Sequence, residues 1–375
     1  MTKIPFRDHH LLQLLSDFDK QTLPIDVFMS IYFRERKALG SKDRAYISDL
    51  ACDLIRWRGL LDACQPKPSS WIKRLSAYQN GVLKSDHSSF CDHVRCSFPK
   101  ELFNLFKDAY GREQAIEIAL ASNERAPLTV RANALKITRE DLIKKWEPHL
   151  PLNPCKHSPV GINVNTKTHL FSLDEFKEGF FEIQDESSQR AALMMDPRPG
   201  QNVLDYCAGS GGKTLAFANK LKGKGQIYLH DIRLSAFRQA KKRLKRAGIE
   251  NAQYLLPEHP TLKKLNKRMD WVFVDAPCTG TGTLRRNPDM KWRFSSKGLQ
   301  ELVTKQRVIF EEAIQYLKPN GTIIFATCSL LPEENEEQIA YFMEKFSLVL
   351  AQPVLKTFPS KNEGDGFFAA ALKRA

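Results

Sequence analysis

Asp275, Cys278 and Cys328 are the residues whose types and spacing can do chemistry. The first two lie in "WVFVDAPCTGTG" (271–282), and the third closes "GTIIFATC" (321–328). Val272, Phe273 and Val274 suit a strand covered on both faces, and parallel sheets hold their ligands just beyond the carboxyl ends of such strands. Taken singly, a cysteine there is more often a small buried hydrophobe than a nucleophile. Two of them beside a carboxylate suit methylation at C5 of a pyrimidine. That carbon is too electron-poor to attack a methyl sulfonium unaided, and a thiolate adding to C6 makes it nucleophilic. A carboxyl group near N3 meets the charge that develops on the ring, and a base removes the C5 proton so that the thiol can leave. Cys328, Asp275 and Cys278 can fill these needs.

A methyl donor needs a seat, and "DYCAGSGGKTLAFANKL" (205–221) is a glycine-rich turn leading into a helix. A P-loop requires glycine where Cys207 stands, and a dinucleotide fingerprint counted from Gly209 meets Thr214 where its third small residue belongs, so neither fits. Glycines still let a backbone come close to a ligand, and a helix N-terminus offers free N–H groups. Asp231 in "YLHDIR", at the end of the next strand, can take both hydroxyls of a ribose. A nucleoside cofactor is implied.

These loops must be carried by strands. From Gln201 onward short apolar segments alternate with helices: "NVLDYC", "QIYLH", "AQYLL", "WVFVD", "GTIIFATC", "SLVLAQ" and "GFFAAAL". Alternation of this kind predicts βαβ units and a parallel sheet. Residues 1–85 read as helical, with Ser41 as an N-cap and Ile47, Leu50, Leu54, Trp57 and Leu61 on one face. Arg34, Arg36, Lys37, Arg44, Arg56 and Arg58 are expected on the outer faces, where they can touch RNA or stay solvated. Residues 86–165 read as a small α+β segment, with "PLTVRANAL" a strand and "TREDLIKKW" a capped helix.

Fifty-seven Lys and Arg against 43 Asp and Glu give a formal charge of +14, a field that favours a polyanion such as nucleic acid. No stretch has the roughly 20 uncharged apolar residues of a membrane span, and the opening is too charged for a signal peptide, so a cytoplasmic protein is expected. The eight cysteines have no disulfide framework and should be reduced. His87, Cys91, His93 and Cys96 lack a standard zinc spacing, and no metal is expected. "RRNPDMKWR" interleaves Arg285, Arg286, Lys291 and Arg293 with Trp292, a composition suited to phosphate contact and base stacking.

Five segments, "IQDESSQ" (183–189), "VLDYCAGSGGKT" (203–214), "DAPCTGTGTLRRNPDMKWR" (275–293), "FATCSLLPEENE" (325–336) and "DGFFAA" (365–370), together resemble the RsmB/Sun family of S-adenosylmethionine-dependent RNA cytosine-5 methyltransferases. The N-terminal region resembles, less strongly, the family's helical NusB-like domain. The resemblance implies a Rossmann-like class I methyltransferase with a mostly parallel seven-stranded sheet over 166–375, preceded by a NusB-like domain (1–85) and the α+β segment (86–165). It implies S-adenosylmethionine as cofactor, RNA as partner (rRNA by the NusB-like head, tRNA as the alternative) and a monomer. A non-catalytic RNA-binding adaptor is the alternative of another class, disfavoured by the intact Cys278, Asp275 and Cys328. In the family the Thr-Cys-Ser cysteine, here Cys328, is the nucleophile, and the Pro-Cys cysteine, here Cys278, assists product release. Cys207, Ala208, Gly209, Ser210, Gly211, Gly212 and Lys213 would line the cofactor, Asp231 hold its ribose, and Asp275 sit between its methionine and the base. The acid usual after the third strand, near the adenine, is missing. Glu258 is the nearest candidate.

Overall fold

The computed structural model describes residues 4–166, 168–361 and 363–375. The chain divides into two compact units, Met1–Arg125 with Thr283–Ser296, and Ala126–Gly282 with Lys297–Ala375. The expected boundary at 85 therefore falls inside the first unit. The helices Lys100–Tyr110 and Arg112–Ser122 also lie in that unit.

The first unit is helical. Phe6–Phe18 buries Leu11, Leu14 and Leu15 completely, and Ser41–Arg56 with Arg58–Ala63 does the same for Ile47, Leu54 and Leu61. The spacing of three, four and seven residues puts each set on one face. The cap before Ser41–Arg56 is Gly40 rather than Ser41: the Gly40 N–H donates to Asp43 Oδ2 at 3.1 Å. Arg56 is not on an outer face. It is buried, paired with Asp53 Oδ1 at 2.6 Å, and donates to the Arg285 carbonyl at 3.0 Å.

That last bond places "RRNPDMKWR". Lys291 is buried, and its Nζ donates to Asn123 Oδ1 at 2.6 Å and to the Arg56 carbonyl at 2.7 Å. Trp292 donates from Nε1 to the Ile55 carbonyl at 2.7 Å and packs against the helical core. Arg293 donates to the Thr22 and Leu23 carbonyls and pairs with Asp289. Phosphate contact is thus corrected for Lys291 and for the buried Arg285, whose burial leaves neither open to a polyanion. Arg286 is exposed.

In the second unit, strands β1 (Leu128–Ala132), β2 (Leu152–Pro154), β3 (Gly161–Val164) and β4 (Phe181–Ile183) form an antiparallel sheet of order β2-β3-β1-β4. Only β1 is in the sequence-based prediction. Then follow β5 (Asn202–Asp205), β6 (Gln226–His230), β7 (Ala252–Leu255), β8 (Met269–Asp275), β9 (Leu317–Thr327), β10 (Leu348–Leu350), β11 (Leu355–Thr357) and β12 (Phe367–Arg374). The order is β10-β12-β9-β8-β5-β6-β7, with β11 on β12. Strands β5 to β9 are parallel and β12 runs antiparallel to β9. One apolar layer joins the sheet to Leu234–Ala247 through Phe237, Ala240 and Leu244. Another joins it to Ser296–Ile314 and Glu336–Phe346 through Phe310 and Phe342, stacked at 3.8 Å. Both faces are covered, so the strands read as continuous apolar runs.

Trp292→Ala removes an indole from the helical core and leaves the Ile55 carbonyl without that donor. A loss of about 2–4 kcal/mol is expected, and urea unfolding of the full chain measures it.

Candidate active site

Parallel pairing of β8 with β9 ends at Asp275↔Ala326, and the Ala276 N–H donates to the Ala326 carbonyl at 2.9 Å. The loops that follow are thereby side by side. Cys278 Sγ and Cys328 Sγ approach to 3.4 Å, and both side chains are half-buried. The hydrogen bond with Cys328, together with burial, raises the Cys278 pKa above that of an ordinary thiol.

The loops are laced by hydroxyls. Thr281 Oγ1 lies 3.1 Å from Ser329 Oγ and accepts the Leu330 N–H at 2.8 Å; Ser329 Oγ accepts the Leu331 N–H at 3.0 Å. Gly282 donates to the Cys328 carbonyl at 2.8 Å, and the Gly366 N–H to the Gly282 carbonyl at 2.9 Å. At Gly282 a Cβ would come within 2.1 Å of the Gly366 carbonyl, which is why the loop needs glycine there. Glu334, fully buried, accepts the Thr279 N–H and the Gln306 amide, each at 2.9 Å, and burial raises its pKa. Thr281, Ser329, Glu334 and Gln306 were not singled out from sequence; "PEENE" carried Glu334 only as part of a motif.

Asp275, at the end of β8, accepts Lys213 Nζ at 2.6 Å, and Lys213 also sits 4.9 Å from the Phe367 ring centroid. Burial alone would lower the Lys213 pKa, but the Asp275 carboxylate more than offsets it, and Lys213 stays an ammonium. Lys213, expected only to line the cofactor, is thus paired with Asp275. Beneath it Asp205 is wholly buried, with Oδ2 accepting Thr214 Oγ1 at 2.6 Å; burial pushes its carboxyl up to about 7.

A crevice of about 750 Å³ opens beside this pair. Cys207, Ala208, Gly209, Ser210, Gly212 and Lys213 line it along with Asp231 and Asp275. Gly211 is the exception: at φ +78° it turns toward Leu244, which a Cβ would meet at 2.8 Å. The loop is braced from behind. Arg243 Nη1 donates to the Ser210 carbonyl and hydroxyl at 3.1 and 2.7 Å, and Arg131 Nη1 to the Gly212 carbonyl at 3.2 Å. Asp231 accepts the Gly209 and Arg233 N–H groups at 2.8 Å and pairs with the Arg233 guanidinium at 3.0 Å; these donors outweigh burial and hold its carboxyl below the usual range. A carboxylate kept ionised at the rim suits two ribose hydroxyls. Glu258 does not reach the crevice. It is exposed in the turn after β7, so its assignment to the adenine is withdrawn. Among the described residues no three His, Cys, Asp or Glu are placed to hold a metal ion.

Glycine loop, rim carboxylate and crevice volume fit S-adenosylmethionine, and with the β5–β12 sheet they define a class I S-adenosylmethionine-dependent methyltransferase. Residues 192–373 match the family model described as 16S rRNA methyltransferase RsmB/F, and residues 98–170 that of the ferredoxin-like domain of RsmF/B-like methyltransferases. A probable ribosomal RNA small subunit methyltransferase B from Synechocystis sp. is 31% identical over 337 residues, covering 81% of this chain and 75% of its own. A ribosomal RNA small subunit methyltransferase B from Klebsiella pneumoniae is 32% identical over 321 residues, covering 80% and 74%. The crystal structure of a methyltransferase homolog protein from Pyrococcus horikoshii superposes with a TM-score of 0.69 at 27% identity, over 78% of this chain and 100% of that one. The chain belongs to the RsmB/F family of methyltransferases.

Asp231→Ala takes away a carboxylate that lines the crevice and should weaken S-adenosylmethionine binding by about 1.5–3 kcal/mol, read by calorimetry. Asp205 tests the buried floor. Its folded carboxyl holds a proton that the unfolded chain releases from near its ordinary value of 3.8, so its contribution to stability declines as pH rises from there to about 7. Asp205→Asn should remove that slope and stabilise the chain by roughly 1 kcal/mol or more at pH 8, with no gain at pH 4, as thermal unfolding at the two pH values would record.

Proposed function

We propose that this chain methylates C5 of a cytosine in small-subunit ribosomal RNA, with Cys328 adding to C6 of the base and Cys278 assisting its release. The observation that carries the reading is the 3.4 Å approach of two thiols at neighbouring strand ends, next to the Asp275–Lys213 pair and the cofactor crevice. S-adenosylmethionine supplies the electrophilic methyl group. The Cys328 thiolate forms the S–C6 bond, and the electron pair displaced toward C5 becomes the nucleophile for that methyl. Asp275 hydrogen-bonds the base near N3, and the Lys213 ammonium, 2.6 Å from it, balances the charge that spreads over the ring.

Loss of the C5 proton to a base then returns its electrons to the ring, and the S–C6 bond breaks toward sulfur. Cys278, with its Sγ 3.4 Å from Cys328 Sγ, donates a hydrogen bond to the departing thiolate. Ribosomal RNA is favoured over tRNA because the similar proteins from Synechocystis and Klebsiella are named as acting on it.

Each thiol has its own test. Cys328→Ala should abolish methylation and form no covalent complex, while S-adenosylmethionine binding stays within about twofold of wild type. Cys278→Ala should still attack and transfer methyl but release slowly, leaving protein on RNA as a slow band in a denaturing gel. An adduct with Cys328→Ala and none with Cys278→Ala would reverse the roles. Bisulfite sequencing of ribosomal RNA from a deletion strain and its parent would locate the modified cytosine, and an unchanged pattern would sink the substrate assignment.

A further inference from the structure

One face of the helix Ser296–Ile314 forms a wall of the cofactor crevice. Val308 and Ile309 line it with Glu312 one helical turn further on, together with Ile232 from the end of β6 and Tyr206 from the end of β5. Ile232 is 68% exposed and Val308 50% exposed, two large aliphatic side chains open to the crevice. A flat heteroaromatic ring that covers both would remove that apolar surface from water. Glu312 is beside them. Among the described residues its carboxylate takes one side-chain hydrogen bond, from the Tyr206 hydroxyl to Oε2 at 2.9 Å. Burial and the Glu312 charge raise the Tyr206 pKa, so the phenol stays a donor. Tyr206 is fixed in turn by stacking on His230 at 4.3 Å, and His230 Nδ1 bonds the Tyr206 carbonyl oxygen at 2.8 Å. The result is an oriented anionic acceptor at the edge of an apolar slot.

We infer that Glu312 recognises the exocyclic amino group of the cofactor's adenine, with Ile232 and Val308 against the faces of the ring. The inference rests on the S-adenosylmethionine reading of the crevice and assigns to this helix the acid that the strand after β6 does not supply. An amino group donates to a carboxylate. A hypoxanthine ring, which carries a carbonyl oxygen at that position, turns an acceptor toward it and is repelled. Glu312 is therefore a specificity-determining residue for the base of the cofactor.

Calorimetry on the full chain with S-adenosylhomocysteine and S-inosylhomocysteine tests this without any turnover. Wild type should prefer the adenosyl compound by roughly tenfold or more. Glu312→Ala should weaken the adenosyl compound by a similar factor and leave the inosyl compound as tight or tighter, so that the preference disappears. Glu312→Gln keeps the side chain's shape, and its amide can donate to the inosyl oxygen; it should bring the two ligands near parity even if Glu312→Ala fails to fold. A wild-type preference that survives in Glu312→Gln overturns the inference while the cofactor reading stands. Failure of wild type to bind S-adenosylhomocysteine at all would overturn both.

Discussion

Glu334 Oε1 accepts both the Thr279 N–H and the Gln306 side-chain amide, and the first of these bonds ties the loop after β8 to the loop after β9. Gln306 also donates to the Pro277 carbonyl at 3.0 Å, and Gln338 donates to Gln306 Oε1 at 2.8 Å. A fully buried acid of this kind is tolerable only while its donors are present, since a buried charge left unpaired costs several kcal/mol. The bonds are therefore kept or lost together. While they are kept, the residue after Cys278 cannot drift from the strand end that carries Cys328, and the 3.4 Å between the thiols follows.

The cofactor loop is held on the same principle but by cations. Arg131 comes from β1 and Arg243 from the helix Leu234–Ala247; their guanidinium groups donate to the Gly212 and Ser210 carbonyls, while Glu182 of β4 pairs with Arg243 and Arg246. Burial lowers the Arg131 pKa to about 9 and still leaves it charged near neutral pH. The small antiparallel sheet is thus more than a spacer. It supplies the rigid side of a loop whose glycines give it none of its own.

Much of this was legible in the chain itself. Alternating apolar segments after Gln201 marked seven strands, and the punctuation that ends β5, β6, β8 and β9 marked Cys207, Asp231, Asp275 and Cys328 as residues of one sheet edge. What failed to show has a common cause. Lys291 and Arg285 look like phosphate ligands because local sequence shows charge and hides what surrounds it; the Asn123 and Arg56 groups that take up Lys291 lie more than 160 positions away. Glu258 is the candidate that strand order offers, and strand order is a rule about connectivity. Which acid reaches a crevice depends on helix placement, and Glu312 lies on a helix whose face is fixed by the packing of Phe310 on Phe342. Strands β2, β3, β4 and β11, the last an eighth strand of the larger sheet, escaped because three or four residues, some of them polar, show no period.

The chain passes between the two compact units three times, since Thr283–Ser296 belongs to the helical unit while the residues on either side of it do not. A unit built from one uninterrupted stretch can be gained or lost by a single recombination near one end of a gene. Here a deletion of the first 125 codons would leave Trp292 and Lys291 encoded without the core that receives them. Removing the helical unit therefore also strands the segment directly after Gly282, whose Lys291 and Trp292 are held by that unit.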